Sequence, residues 1–239
     1  MSDLSGIINS NSPSQAVAAW HEAAYKPRNR LGLSEVGHKC PRWLWFKHHN
    51  QTAIPPEGRI LRLFRLGEMI EEQVAIDLMS AGYIVHSRQK EVNVDMLTGH
   101  IDGIIEGLVE SRKPHLLEIK SANNKSFTAL KSQGYEKWNE KYKTQIHIYM
   151  LLARLDRCLV WVENKDTSES YTERIDSNRG FAIAALERVM GAILCPTPPP
   201  GTCPNKSWYE FKFCIFRDTC KESNHNGREE TCRPPERIV

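Results

Sequence analysis

Apolar and polar positions change period several times along the chain, and each change marks an element. Gln15 to Tyr25 (QAVAAWHEAAY) carries the spacing of a short helix. Arg59 to Ala81 predicts a long amphipathic helix, with Leu63, Leu66, Ile70, Val74 and Leu78 at three- and four-residue steps. Tyr83 to Met96 alternates loosely and predicts one or two strands, closed by turn chemistry at Leu97-Thr98-Gly99. Gly99 to Ile105 and Leu116 to Lys120 read as two further strands, joined by a turn at Ser111 to Pro114. Ser121 to Gly134 is a polar loop with a short helical piece. Tyr135 to Leu155 is a second long helix, marked by Trp138, Tyr142, Gln145, Tyr149 and Leu152. Arg157 to Asn164 and Glu169 to Ile175 form a strand pair, and Asp176 is placed to cap a helix from Arg179 to Leu194. Helix, antiparallel strands, then helices predict an α/β domain with a mixed sheet flanked by helices.

The strand Leu116-Leu117-Glu118-Ile119-Lys120 departs from what a core needs. Alternate side chains of a strand share a face, so Glu118 and Lys120 point one way and Leu117 and Ile119 the other, into a core. Asp102 stands among apolar residues in the preceding strand, close enough along the chain to meet Glu118 across neighbouring strands. Two carboxylates, a backbone carbonyl such as that of Ile119, and waters are a magnesium ligand set. Such an ion polarises a phosphoryl oxygen and activates water. Lys120 is placed to orient that water and to stabilise transition-state charge. On its own an acid-x-Lys triplet also serves as an exposed cross-strand ion pair.

The spacing Asp102, Glu118-x-Lys120 resembles the signature of the PD-(D/E)XK nuclease superfamily, which implies a restriction-endonuclease-like core. Three further stretches, in chain order, resemble its RecB-like branch, including phage-type recombination exonucleases. Ser34 to Arg42, ending in Cys40-Pro41-Arg42, resembles a segment in which the Cys ligates a cluster and Ser and Arg lie near DNA. Arg65-x-Gly67-x-x-x-Glu71 resembles a motif that supplies a third metal-binding acid. That implies a role for Glu71, with Glu68 and Glu72 as alternatives and Gly67 allowing close helix packing. Gln145-x-x-x-Tyr149, about 25 residues after Lys120, resembles the branch's strand-supporting pair. His147 lies off that face and reads as a solvated or core histidine.

Length and charge narrow the reading further. The 239 residues suffice for one sizeable domain plus a small appendage, here 1–195 and a cysteine-rich tail 196–239 expected to pack back on the Cys40 segment. No apolar run reaches membrane-spanning length and no signal-peptide core precedes Ser14, so a cytoplasmic protein without a membrane partner is expected. For a phage-encoded chain that is the host-cell cytoplasm. The net charge of +3 excludes a global basic field, so nucleic acid would be held in a local groove. Seven cysteines favour free thiols or metal ligation over a disulfide framework.

After the stiff Pro196 to Gly201 linker, the tail holds Cys203, Cys214, Cys220 and Cys232. The resemblance implies a structural cluster of Cys40 with late cysteines. Cys214 and Cys220 fit two positions, Phe211 stands where another cysteine is expected, and Cys232, Cys203 or His225 would complete the set. An iron–sulfur cluster, a zinc knuckle of the four tail cysteines, and a metal-free tail all remain open.

The resemblance implies a Mg²⁺- or Mn²⁺-dependent DNA exonuclease acting on linear ends in recombination. Glu71, Asp102, Glu118 and the Ile119 carbonyl would hold metal, and Lys120 would position water. Gln145, Tyr149, Ser34 and Arg42 would contact the substrate strand. The expected partners are DNA ends, with a homo-oligomer and a single-strand annealing or single-strand-binding protein as further possibilities. The rivals are an endonuclease of the same fold, a non-catalytic DNA-end-binding subunit with a relic site, and a zinc-stapled interaction module.

Overall fold

The computed structural model describes residues 12–28, 30–109 and 111–222. A five-stranded mixed sheet forms the centre. Its strands are β1 (Ile84–His86), β4 (Gly103–Glu106), β5 (His115–Ala122), β6 (Arg157–Asn164) and β7 (Ser170–Asp176), in the spatial order β1-β4-β5-β6-β7. Neighbours are antiparallel except β5 and β6, which run parallel from Leu116 opposite Cys158 to Ala122 opposite Asn164. A parallel pair needs a crossover. Here it is three helices: α4 (Asn124–Gln133), α5 (Tyr135–Trp138) and α6 (Glu140–Ala153). The separate hairpin of β2 (Glu91–Val94) and β3 (Leu97–His100) sits beside the sheet.

Before the sheet come α1 (Pro13–Ala24), a 3-10 turn at Leu33–Glu35, α2 (Pro41–His48) and the long α3 (Gly58–Ser80). After it come α7 (Arg179–Ile193), α8 (Tyr209–Phe213) and α9 (Arg217–Glu222). Mixed sheet and flanking helices follow the order expected of a restriction-endonuclease-like core, and among the described residues no helix is long and apolar enough to cross a membrane.

The alternation of β5 sorts the core into two sides. Leu117 and Ile119 pack with Ile105 against Val74, Ala75 and Leu78 of α3. Leu116 faces the larger cluster, which includes Ile146, Tyr149 and Met150 of α6 and Val189 and Ile193 of α7. The apolar stripe of α3 is covered only in part, since Leu63 and Leu66 remain exposed. Gly67 is not the close-packing position expected of it. A Cβ there would meet only Ser121 Oγ, at an ordinary 3.9 Å.

Three expected elements differ. Gly99 to Ile105 is two strands: β3 pairs with β2, β4 pairs with β1 and β5, and the chain changes partners at Ile101-Asp102. The helix expected from Tyr135 to Leu155 breaks at Asn139, whose side chain accepts from the backbone N–H groups of Lys141 and Tyr142 and starts α6 as a new helix. Asn178 rather than Asp176 caps α7 by accepting from Phe181 N, and Ser34 lies inside the 3-10 turn.

Candidate active site

The break between β3 and β4 creates the centre of the site. Gly103 pairs with Leu117, so Asp102 lies one rung beyond the end of β4, across from Glu118. There its Oδ2 accepts a 2.7 Å hydrogen bond from Ile119 N and continues the ladder with a side chain. Asp102 is thereby fixed against β5, 7% exposed. Glu118 is fully buried and its Oε1 contacts Lys120 Nζ. Lys120 Nζ lies 4.0 Å from Asp102 Oδ2, 3.4 Å from the Ile119 carbonyl oxygen and 5.6 Å from the centre of the Tyr142 ring. The two acids, the ammonium and the carbonyl named in the sequence meet at one point.

Charge is unbalanced there. Burial, opposed by Lys120 and reinforced by Asp102, lifts the Glu118 carboxyl to about 8. Burial alone would lower Lys120, but Glu118 and Asp102 hold its ammonium well above the usual lysine range. Neither Glu118 oxygen has a hydrogen bond of ordinary geometry among the described residues. Buried carboxylate oxygens in that condition are costly unless a cation serves them.

Glu71 approaches from α3. Burial and then Asp102 raise its carboxyl, while a 2.6 Å hydrogen bond from Gln89 Nε2 and the nearby Lys120 and Arg88 lower it. Glu71 and Asp102 line a cleft of about 470 Å³ together with Ser34, Gln145 and Tyr149. Among the described residues no three His, Cys, Asp or Glu side chains are already gathered as metal ligands. The donors present are hard oxygens, and a magnesium ion that keeps several waters needs only one or two carboxylates. In kind and number these residues fit such an ion.

Gln145 and Tyr149 reach the cleft because α6 presents them one turn apart, both buried. The Tyr149 ring lies against Gly99, where a Cβ would come within 2.6 Å of the hydroxyl. Burial first, and Glu118 second, push its pKa well above the tyrosine range. His147 is a core histidine, 1% exposed and held between Glu136 and Asn178 N.

No protein-family model matches the chain, and no curated protein matches it in sequence. Solved structures match in shape. The protein SSO0001 aligns at 16% identity with a TM-score of 0.47, over 88% of this chain and 96% of that one. An alkaline exonuclease, LHK-Exo from Laribacter hongkongensis, aligns at 16% identity and TM-score 0.49, over 73% of this chain and 90% of its own. LHK-Exo in complex with dAMP aligns at 13% identity and TM-score 0.44, over 74% and 89%. At this level of likeness they carry no functional inference.

Arg42 is not in the cleft. It is 3% exposed, with Nε donating to Pro199 O at 2.7 Å and Nη1 3.9 Å from Cys220 Sγ, so it ties the linker to the tail instead of meeting a phosphate. Around it the tail folds back on α2. Ile54 N donates to Ile215 O, Thr219 Oγ1 to Thr52 O, and Phe216 packs on Trp43 and Phe46.

Cys40, Cys203, Cys214 and Cys220 come close enough to act on one another electrostatically. Burial, then Cys40 and its neighbours, raise Cys203, and burial takes Cys214 up to about 11 with the other three thiols adding to it. Cys203 therefore stands with Cys40, Cys214 and Cys220, whereas Cys232 and His225 fall outside the described residues.

Arg28, Arg88, Gln89 and His100 also line the cleft and were not signalled by the sequence. Nor was Tyr135, whose buried hydroxyl has no hydrogen-bond partner among the described residues and whose pKa is raised by burial and by Glu118. Arg28, Arg88, Gln89 and Tyr135 come from a loop, a turn and a helix start, where no period marks a side chain's direction, and His100 is the last residue of β3.

Proposed function

We propose that this protein is a nuclease, and specifically a Mg²⁺- or Mn²⁺-dependent DNA exonuclease acting at linear ends. The observation that carries the reading is the meeting of Asp102, Glu118, Lys120 and the Ile119 carbonyl beside a cleft. When bound, the ion supplies polarisation of the phosphoryl oxygen and a more acidic water. Asp102, Glu118 and the Ile119 carbonyl would hold it, with Glu71 lining the same cleft.

The acids beside Lys120 raise its pKa and favour its ammonium form. It is therefore a donor rather than a base: it orients the attacking water and offsets negative charge as the phosphate is attacked. Gln145 and Ser34 offer neutral hydrogen bonds to the strand, and Arg28 a charged one. Such phosphate contacts make binding fall with salt.

The reading extends to the tail, where Cys40, Cys203, Cys214 and Cys220 would hold an iron–sulfur cluster or zinc. Their electrostatic influence on one another at the junction of α2 with the tail supports it, although among the described residues they are not already gathered as metal ligands. Iron, labile sulfide and zinc analysis of purified protein decides between the two, and a preparation with neither removes this part. End-labelled linear duplex digested with Mg²⁺ or Mn²⁺ tests the activity. Wild type releases nucleotides and Lys120→Ala is slower by at least about 100-fold. Equal rates refute the assignment, and cutting of a closed circular duplex makes the enzyme an endonuclease.

A further inference from the structure

We infer that Arg88 is a phosphate-binding residue of this cleft, acting through the Nε–Nη2 edge of its guanidinium; this rests on the nuclease reading and adds a residue to it. Arg88 lies in the Ser87–Lys90 turn between β1 and β2 and lines the same cleft as Asp102 and Glu71. Its Nη1 is committed to Glu72 Oε2 at 2.8 Å. Its Nη2 stands 3.8 Å from Glu71 Oε1, near enough to feel the charge but beyond hydrogen-bond distance. Its Nε is buried and has no hydrogen-bond partner among the described residues.

One side of the fork is thus filled and the other is open. The open edge is the one whose two parallel N–H bonds match two oxygens of a phosphate. A buried N–H left without a partner is a cost that a protein fold normally avoids. Burial of this one beside the acids is accounted for if an anion completes it.

The turn that carries Arg88 is fastened to the metal side of the site. Lys90 N closes it on Ser87 O at 3.2 Å, and the Lys90 carbonyl accepts from Ile101 N, the residue before Asp102. The Arg88 stem runs within 3.7 Å of where a Gly103 Cβ would lie. The next residue, Gln89, holds Glu71. Ser87 and Gln89 both have φ of 51°, a conformation that costs free energy for residues other than glycine. The turn therefore sets a cation at a fixed place against Asp102 and Glu71, where a phosphate bound by the same ion would sit. The carboxylates facing Arg88 are Glu71 and Glu72, and the other cation of the cleft is Arg28.

The test compares wild type with Arg88→Ala, Arg88→Lys and, as a control at the far end of the β4–β5 hairpin, Lys113→Ala. Binding of an end-labelled oligonucleotide is measured in Ca²⁺ by anisotropy across a salt series, and Mn²⁺ binding by calorimetry without DNA. All variants are first checked for wild-type thermal unfolding. Arg88→Ala is expected to bind the oligonucleotide about 10- to 100-fold more weakly, with a salt slope smaller by about one, and to keep its Mn²⁺ affinity. Arg88→Lys does not restore binding, because a single ammonium cannot replace the edge. Lys113→Ala binds as wild type. Oligonucleotide binding within twofold of wild type in Arg88→Ala, rescue by lysine, or loss of Mn²⁺ affinity with DNA binding intact overturns the assignment. Because binding is read without turnover, a wild type that binds but does not cleave refutes the nuclease reading while leaving the role of Arg88 decided.

Discussion

Glu118 is the residue on which the proposed chemistry and the pH dependence of stability both turn. Its carboxyl is lifted to about 8 by burial, so below that pH the folded chain holds a proton that the unfolded chain, in the usual carboxylate range, has released. In metal-free protein this residue makes stability fall as pH rises through that window. Glu118→Gln removes that part of the slope, which denaturant titrations at several pH values will show. Under the proposed function, the same variant should cleave end-labelled linear duplex at least about 100-fold more slowly than wild type. Gly99 answers to a different constraint. A Cβ there would lie 2.6 Å from the Tyr149 hydroxyl and 2.9 Å from Leu33 Cβ. Gly99→Ala should cost about 1–3 kcal/mol in thermal unfolding, and Tyr149→Phe in that background should recover part of it. The acids, Lys120, Gln145 and Tyr149 were legible because strand alternation and helical spacing fix which side chains share a face. Arg88 and Gln89 were not, because a turn with two left-handed residues aims its side chains by tertiary contacts alone.

Among elements, the placement of β4 relative to β5 decides where the site forms. The sequence shows apolar residues on both sides of Asp102 and reads as a single strand. What breaks it is a change of partner, from β2 to β5, which no local pattern records. The helix that carries Gln145 and Tyr149 was likewise legible in its spacing but not in its start. Asn139, with φ of −153°, ends α5 and caps α6 through two backbone N–H groups. Asn139→Ala should lose about 1 kcal/mol of stability, seen as a lower urea midpoint with unchanged slope. Asn139→Asp, which keeps the accepting oxygen, should lose little.

At the scale of the whole molecule, the tail is part of the core. Phe211 and Phe216 are 3% and 1% exposed within the cluster that also holds Trp43, Leu44 and Phe46 of α2. Phe216→Ala should therefore lower stability by about 3–5 kcal/mol, with unfolding still a single transition; a separate tail transition would contradict it. The Pro-rich linker reads as a domain boundary in sequence, yet Arg42 grips Pro199 O and α2 is shared by both sides. Cys203 was placed in the same way: its spacing from Cys214 fits no short motif, and the fold brings it within electrostatic reach of Cys40. The account as a whole depends on Asp102 and Glu118 serving one cation. Calorimetric titration of metal-free protein with Mn²⁺ in two buffers of different ionisation enthalpy tests this directly. The prediction is saturable binding that releases a proton near neutral pH, weakened at least about tenfold in Asp102→Asn and without proton release in Glu118→Gln. Equal Mn²⁺ binding by wild type and both variants, or none by wild type, would contradict it.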